Sequence, residues 1–470
     1  MLLIFILCYL ALNLLVGWWA SRRVKNTEDF VLAGRRLPLL LASMVTFATW
    51  FGSETMMGAP AEFINGGIMG VIEEPFGAGL CLILVGVFYA RIFYRLNIIT
   101  FCDFFRVRFG KSAEYLSAVM MIPSYFGWIA AQMIAMGVVL KAIVGLDLVV
   151  GITVSATLVM IYTMMGGMWS VSITDFMHNI LLIFGLIVLI ITLLTEVGGI
   201  KNIIDQTPKG FFRPIPIEFT PLSTAEYFAA WINVGLGSIP QQDIFQRVMA
   251  SRNEKTAVRS SVIAGFMYLT IALLPLFIAL IAKDLHPELM QGDQRMIIPN
   301  MVLQYTNPAI QVLFFGALVS AILSTTSGAI LAPAAVIGEN LVKPIFPKLT
   351  DKQLLLVIRL SVVVVTLICI WMATFRQNIY ELVGESSAVS LVSLFIPLTL
   401  GLRWKRANLT GCLVSMLLGM SVWLVCYNVE TEFPAILYGL LAGLIGMIAG
   451  SWLTKSPSLE QYEAIRNRIE

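Results

Sequence analysis

Histidine is nearly missing: 470 residues hold only His178 and His286. Imidazole general-base chemistry and histidine-built zinc sites therefore have almost no raw material. The six cysteines, Cys8, Cys81, Cys102, Cys369, Cys412 and Cys426, are scattered through mostly apolar stretches without paired spacing, which argues against a disulfide framework or a thiolate metal cluster. Charge is thin as well. Only 13% of residues are Asp, Glu, Lys or Arg against 58% apolar, and the mean hydropathy is +0.86, which excludes a water-soluble globule. No stretch alternates apolar and polar residues as a membrane β-barrel would. Nor does a basic stretch precede the first apolar run. Arg22, Arg23 and Lys25 follow Leu2 to Ala20 instead, the order of a retained first span with its N-terminus outside and not of a cleaved signal peptide.

What fills the chain is apolar sequence of helix length. After the first run, such segments recur at about 38–64, 67–90, 113–141, 147–168, 175–195, 225–241, 258–282, 309–338, 354–374, 379–402, 407–427 and 433–453, thirteen in all. At about 20 residues per crossing plus short loops, the expected fold class is all-α integral membrane. Lys and Arg gather after the odd-numbered spans: Arg22, Arg23, Lys25, Arg35 and Arg36; then Arg91, Arg95, Arg106, Arg108 and Lys111; then Arg247, Arg252, Lys255 and Arg259. The same side receives Lys343, Lys348 and Lys352, then Arg403, Lys405 and Arg406, and finally Lys455 with the tail. Only the short loop near Trp169 lacks basic residues. This pattern puts the odd loops and the C-terminus in the cytoplasm of a plasma (inner) membrane. The short polar tail is expected to carry no soluble kinase or binding domain.

Glycine and proline interrupt particular spans: Gly52, Gly58 and Pro60 the second, Pro75 and Gly77 the third, Gly235, Gly237 and Pro240 the seventh. Breaks in spans 2 and 7 are what an inverted five-helix repeat produces, although ordinary kinks use the same residues. If the second span unwinds before Gly52, the carbonyls of Ala48 and Phe51 lose their partners and become free oxygens in mid-membrane. Ser324, Thr325, Thr326 and Ser327 form four consecutive hydroxyls inside the ninth span. Each has two readings: a bond back to the helix's own carbonyl, or an oxygen offered to a small hard cation.

Intramembrane acids cost about 2.5–3.5 kcal/mol each on insertion scales, so those present need a reason. Five qualify: Glu54, Glu73, Glu74, Asp175 and Glu385. Asp175 reads most simply as a helix-opening acid favoured by the dipole. One of the adjacent Glu73 and Glu74 is expected to face a cavity. Glu54 is expected on the outer side of the break, and Glu385 near an outer vestibule. Trp50 at the break and Trp128 in the fourth span offer ring faces for a cationic or apolar solute, or else simply sit at the membrane interface.

These residues match a known pattern. The stretches Ala48-Thr49-Trp50-Phe51-Gly52, Gly166-Gly167-Met168-Trp169-Ser170 leading to Thr174-Asp175, Ser238-Ile239-Pro240 through Phe245-Gln246-Arg247-Val248, and Ala321 to Ser327 together resemble the sodium:solute symporter family over nearly the whole chain. The resemblance implies a LeuT-type core of two inverted five-helix repeats and alternating access about a central site. Its implied organisation is an extra span and loop at 1–36, the first repeat at 37–196, an external loop and the second repeat at 197–402, two accessory spans at 403–454 and a cytoplasmic tail at 455–470. It also implies a sodium site made by the carbonyls of Ala48, Phe51 and Ala321 with the hydroxyls of Ser324 and Thr325. A second ion in some members would fall at Asp175 and Ser327, but Gly328 stands where a further serine is expected. Trp50 and Trp128 resemble two aromatics of choline-transporting members, and Glu74 falls near a sugar-binding glutamate of others. With Gln241 and Glu54, these make the candidate solute site.

The expected function is Na+-coupled import of a small organic solute, amine-bearing or zwitterionic, across a lipid bilayer. The alternatives are a sugar or other neutral solute, or a proton-coupled carrier using Glu54, Glu73 or Asp175. Neither a membrane-embedded enzyme nor a transporter-like sensor fits as well, because no catalytic cluster or signalling domain is visible. No catalytic residue, cofactor, nucleic-acid partner or metal other than sodium is expected, and a monomer is compatible with the sequence.

Overall fold

The computed structural model describes residues 2–375, 378–429 and 431–454, so the expected tail at 455–470 lies outside the described residues. Within them the chain is helical, apart from turns and one isolated bridge between Leu37 and Ser251. An apolar chain in lipid must satisfy its backbone locally, and helices do so. Nine helical stretches among the described residues are long and apolar enough to cross a membrane, with shorter apolar helices at Leu7–Ser21 and Leu39–Ala48.

The helices that matter most are α1 (Leu2–Ser21), α2 (Leu39–Ala48), α3 (Ala59–Gly66), α4 (Ala78–Leu84), α5 (Phe126–Val144) and α6 (Leu148–Val197). They continue as α7 (Pro221–Gly237), α8 (Gln242–Ala250), α9 (Glu254–Ile271), α10 (Pro308–Val336), α11 (Asp351–Phe375) and α12 (Ile379–Ser390), followed by the paired α13 (Leu409–Val429) and α14 (Ala435–Leu453). A single 50-residue rod such as α6 would reach about 75 Å, more than twice the roughly 30 Å hydrocarbon core. Gly167 resolves this with a non-helical φ of 50° and ψ of −140°, so α6 is two crossings joined at a glycine. Counting them separately brings the total close to the expected thirteen.

Burial reverses the arrangement found in a water-soluble protein. On α11, Leu356, Leu360, Val364, Leu367 and Trp371 follow helical spacing along one exposed stripe, while Leu354, Ile358, Val362, Val365 and Cys369 form the buried one. Both stripes are apolar, as lipid on one side and protein on the other require. The centre of the molecule is α10, buried at every residue from Phe314 to Val336. It packs against α5, α6, α8 and α11.

The predicted interruptions are present. Helix α2 stops at Ala48, the chain turns through Thr49 to Gly52, and a wide π-type turn at Glu54–Gly58 leads into α3. Helix α7 stops at Gly237, and Ser238 to Gln241 separate it from α8. A second wide turn, Ile72–Gly77, carries Glu74 at φ −138°, ψ 111°.

Three expectations need correction. Asp175 does not open a helix. It lies about two turns beyond the Gly167 joint, fully buried, because that crossing begins earlier than hydropathy alone indicates. The loop expected near Trp169 is helix. Arg108 and Arg247, assigned to cytoplasmic loops, are each only 1% exposed. Arg108 donates to the carbonyls of Gly401 (2.9 Å) and Trp404 (3.2 Å), and Arg247 lies within α8.

Candidate functional site

The break after α2 brings two other helices, α5 and α10, to one point. A Cβ on Gly52 would lie 2.6 Å from Gln132 Oε1, 2.8 Å from Glu54 Oε2 and 2.8 Å from Thr325 Oγ1, so only glycine fits here. Gln132 of α5 fixes the unwound segment: its Oε1 accepts from Ser53 N–H (2.8 Å) and its Nε2 donates to Glu54 Oε2 (2.6 Å). A short polar side chain thus replaces the helical bonds that the break removes.

On the α10 side of the break, Thr325 Oγ1 donates to the carbonyl of Ala48 at 3.3 Å. Ser324 Oγ donates to Asp175 Oδ1 at 2.5 Å. Ser327 bonds back to the Ser324 carbonyl (2.9 Å), and Thr326 bonds back to Ile322. The four hydroxyls therefore divide evenly: Ser324 and Thr325 reach other helices, while Thr326 and Ser327 satisfy their own. Phe51 and Ala321 are buried as well. Asp175 Oδ2 is buried without a hydrogen-bond partner among the described residues. A Cβ on Gly328 would lie only 2.2 Å from Arg247 Nη2, so the missing side chain leaves room for a guanidinium. Arg247 Nη1 donates to the Asp243 carbonyl (3.3 Å), while its Nε and Nη2 are buried without a hydrogen-bond partner among the described residues.

On the other side of the break, Trp50, Glu54, Glu74, Trp128 and Gln241 line one small pocket. Ser238, Ser386 and Ser387 add hydroxyls, and Val234 and Val383 a small apolar wall. Trp128 Nε1 donates to Glu54 Oε1 at 2.9 Å. Glu74 Oε1 accepts from Thr55 (2.6 Å) and from Tyr268, whose hydroxyl also lies 2.9 Å from the Trp50 carbonyl. No lysine, arginine or histidine is among the residues lining the pocket.

Several residues here were not anticipated. Asp243 Oδ2 accepts from Trp50 Nε1 (2.9 Å) and its Oδ1 from the Tyr125 hydroxyl (2.6 Å), which fixes the indole's orientation. Tyr268, Thr55, Gln132 and Arg247 were missed as well. Asp243 escaped because the apolar run ends at Gln241, although the polar α8 that follows is buried throughout. Glu73 is held by Asn233 Nδ2 (2.9 Å), each the chain neighbour of a lining residue, Glu74 and Val234. Glu385 accepts from Tyr427 (2.6 Å) in an exposed setting and does not line the pocket.

Comparison with known proteins agrees with this architecture. The chain is 27% identical to the high-affinity choline transporter 1 of Caenorhabditis elegans, across 92% of this chain and 78% of that one. It is 26% identical to the osmoregulated proline transporter OpuE of Bacillus subtilis, across 97% and 95%. A Na+-coupled sialic acid symporter, solved substrate-bound and outward-open, superposes with a TM-score of 0.84 at 21% identity, covering 97% of this chain and 98% of that one. A nucleobase-cation-symport-1 family transporter in a closed conformation gives 0.61 at 16% identity, covering 93% and 97%. At such identities the structural likeness speaks for the LeuT-type fold alone. The sodium:solute symporter family profile matches residues 30–419. That match takes in both helix breaks and the hydroxyl run of α10, and the chain belongs to the sodium:solute symporter family.

Proposed function

We propose that this symporter imports a small organic cation, an amine or quaternary ammonium compound. As a member of its family it is a multi-pass, Na+-coupled carrier and not an enzyme. The observation that carries the cation reading is the pocket lining: two carboxylates and two indoles, with no basic side chain. An indole face holds a cation by about 0.5–2 kcal/mol, more when water is excluded. A zwitterion would bring a carboxylate that meets no cationic side chain there, at a desolvation cost with nothing to offset it. The choline transporters among the relatives fit this chemistry.

We assign Na+ to the carbonyls of Ala48, Phe51 and Ala321 and the hydroxyls of Ser324 and Thr325, and the solute to Trp50, Glu54, Glu74, Trp128 and Gln241. Support for the ion assignment comes from Thr325 meeting Ala48 across the break. We do not assign a second ion to Asp175 and Ser327: the Ser327 hydroxyl is turned onto its own helix, and Arg247 already supplies positive charge beside Gly328. Trp50 lies between Ala48 and Phe51 in the chain, so ion and solute favour one arrangement of the same unwound segment. One Na+ entering down the membrane potential supplies about 2.3 kcal/mol per 100 mV, against about 1.4 kcal/mol for each tenfold of accumulation.

We read residues 37–196 and 197–402 as the two repeats, with the N-terminus outside, the C-terminus cytoplasmic and the protein in the plasma (inner) membrane. The test of function is a thermal-shift comparison of choline, tetramethylammonium and proline, each in NaCl and in KCl. A cation that stabilises more in Na+ than in K+ is expected. A Na+-enhanced shift with proline and none with either cation would overturn the cation reading.

A further inference from the structure

The pocket carries two carboxyl groups, one more than a single ammonium engages. Glu54 and Glu74 both line it, and every donor to them is neutral: Trp128, Gln132 and Ser53 for Glu54, Thr55 and Tyr268 for Glu74. All the hydrogen bonds to the Glu74 carboxylate reach Oε1, and Oε2 accepts none among the described residues. The nearby base, Arg247, is outside the lining and donates to the Asp243 backbone carbonyl.

Acids also continue outward from Glu74. Glu73 precedes Glu74 in the same wide turn, and Glu62 lies on α3. Asn65, at the end of α3, donates to Gln294 (2.7 Å). Like charges near an entrance concentrate cations and repel anions.

We propose that the transported solute is a dication, a short diamine with an ammonium group for each carboxylate. One group takes Glu54 beside Trp128, the other Glu74 beside Trp50. This rests on the cation reading above and narrows it. A monocation leaves one buried carboxylate uncompensated, whereas a diamine answers both. A primary ammonium also brings three N–H donors that need acceptors. The free oxygen of Glu74, the Ser238 and Ser387 hydroxyls and Gln241 supply them.

The test uses the purified full-length protein, with binding read by thermal shift and competition in NaCl and in KCl. The probes are 1,3-diaminopropane, 1,4-diaminobutane and 1,5-diaminopentane against butylamine, 4-amino-1-butanol and choline. At least one diamine is expected to bind about tenfold or more tightly than every monocation in Na+. In Glu54→Gln that preference is expected to fall below about threefold. A monocation that binds as tightly as every diamine, with the Na+ dependence kept, would overturn the dication and leave the cation reading standing. Absence of any Na+-enhanced shift across all six probes would overturn both. The wild-type ranking decides the matter even if Glu54→Gln fails to fold.

Discussion

Replacing Gly52 by alanine tests whether the ion and solute positions share one joint. The added methyl would meet Gln132 Oε1 at 2.6 Å and both Glu54 Oε2 and Thr325 Oγ1 at 2.8 Å, all well inside van der Waals contact. None can retreat freely. Gln132 is tied to Ser53 and Glu54, Glu54 is tied to Trp128, and Thr325 lies on the buried centre of α10. Overpacking of a tight site costs about 1–3 kcal/mol, and where the bound state bears it, that is about 5- to 150-fold in affinity. In Na+-driven uptake by proteoliposomes, G52A is expected to raise half-saturating Na+ and half-saturating solute together, each by about tenfold. The control is G66A, where a Cβ meets nothing within 4 Å. Its uptake is expected to match wild type. If G52A kept both half-saturation values within about twofold of wild type, the shared joint would be refuted.

Three further outcomes follow from the same geometry. The double variant S324A/T325A removes both hydroxyls of the proposed ion site, and its uptake is expected to lose most of its Na+ dependence while membrane insertion, read by surface labelling, persists. Asp243→Asn weakens the charge-assisted bond that orients Trp50, worth about 1.5–3 kcal/mol. Solute affinity measured by competition should drop by about tenfold, with half-saturating Na+ changed less. Arg247→Met removes the buried positive charge of α8 and its bond to the Asp243 carbonyl. Its melting temperature should fall markedly, and R247M/D175N should recover part of the loss. No recovery in that pair would dismiss the electrostatic link between Arg247 and Asp175.

Much of the architecture was legible because lipid imposes it. An apolar run must be a helix, and its glycine and proline breaks must be answered by polar groups, so Ala48 to Gly52 and Ser238 to Gln241 stood out in sequence. Trp50, Glu54, Glu74, Trp128 and Gln241 meet around one pocket for the same reason: polar and aromatic residues deep in a span need somewhere to face. What remained hidden was polar sequence that is buried without being apolar. Helix α8 reads as a cytoplasmic loop, yet Asp243 and Arg247 are buried in it because Tyr125, Trp50 and the gap at Gly328 accommodate them from distant parts of the chain. Gln132 was invisible for a related reason. One amide in an apolar helix declares nothing until its partner, the unwound Ser53, is known.

The two hydroxyls of α10 differ in where their single protons go. Ser324 gives its proton to Asp175, so the lone pairs of Oγ are left for whatever approaches. Thr325 gives its proton to Ala48, so for the proposed ion site that proton already occupies the carbonyl that Na+ would take. A carbonyl has two lone pairs, so in the proposed site the cation would approach an oxygen that already accepts one proton. At 3.3 Å that bond is long and readily surrendered. Thr325 thus ties α10 to the end of α2 through the one carbonyl that the proposed site would also offer to Na+.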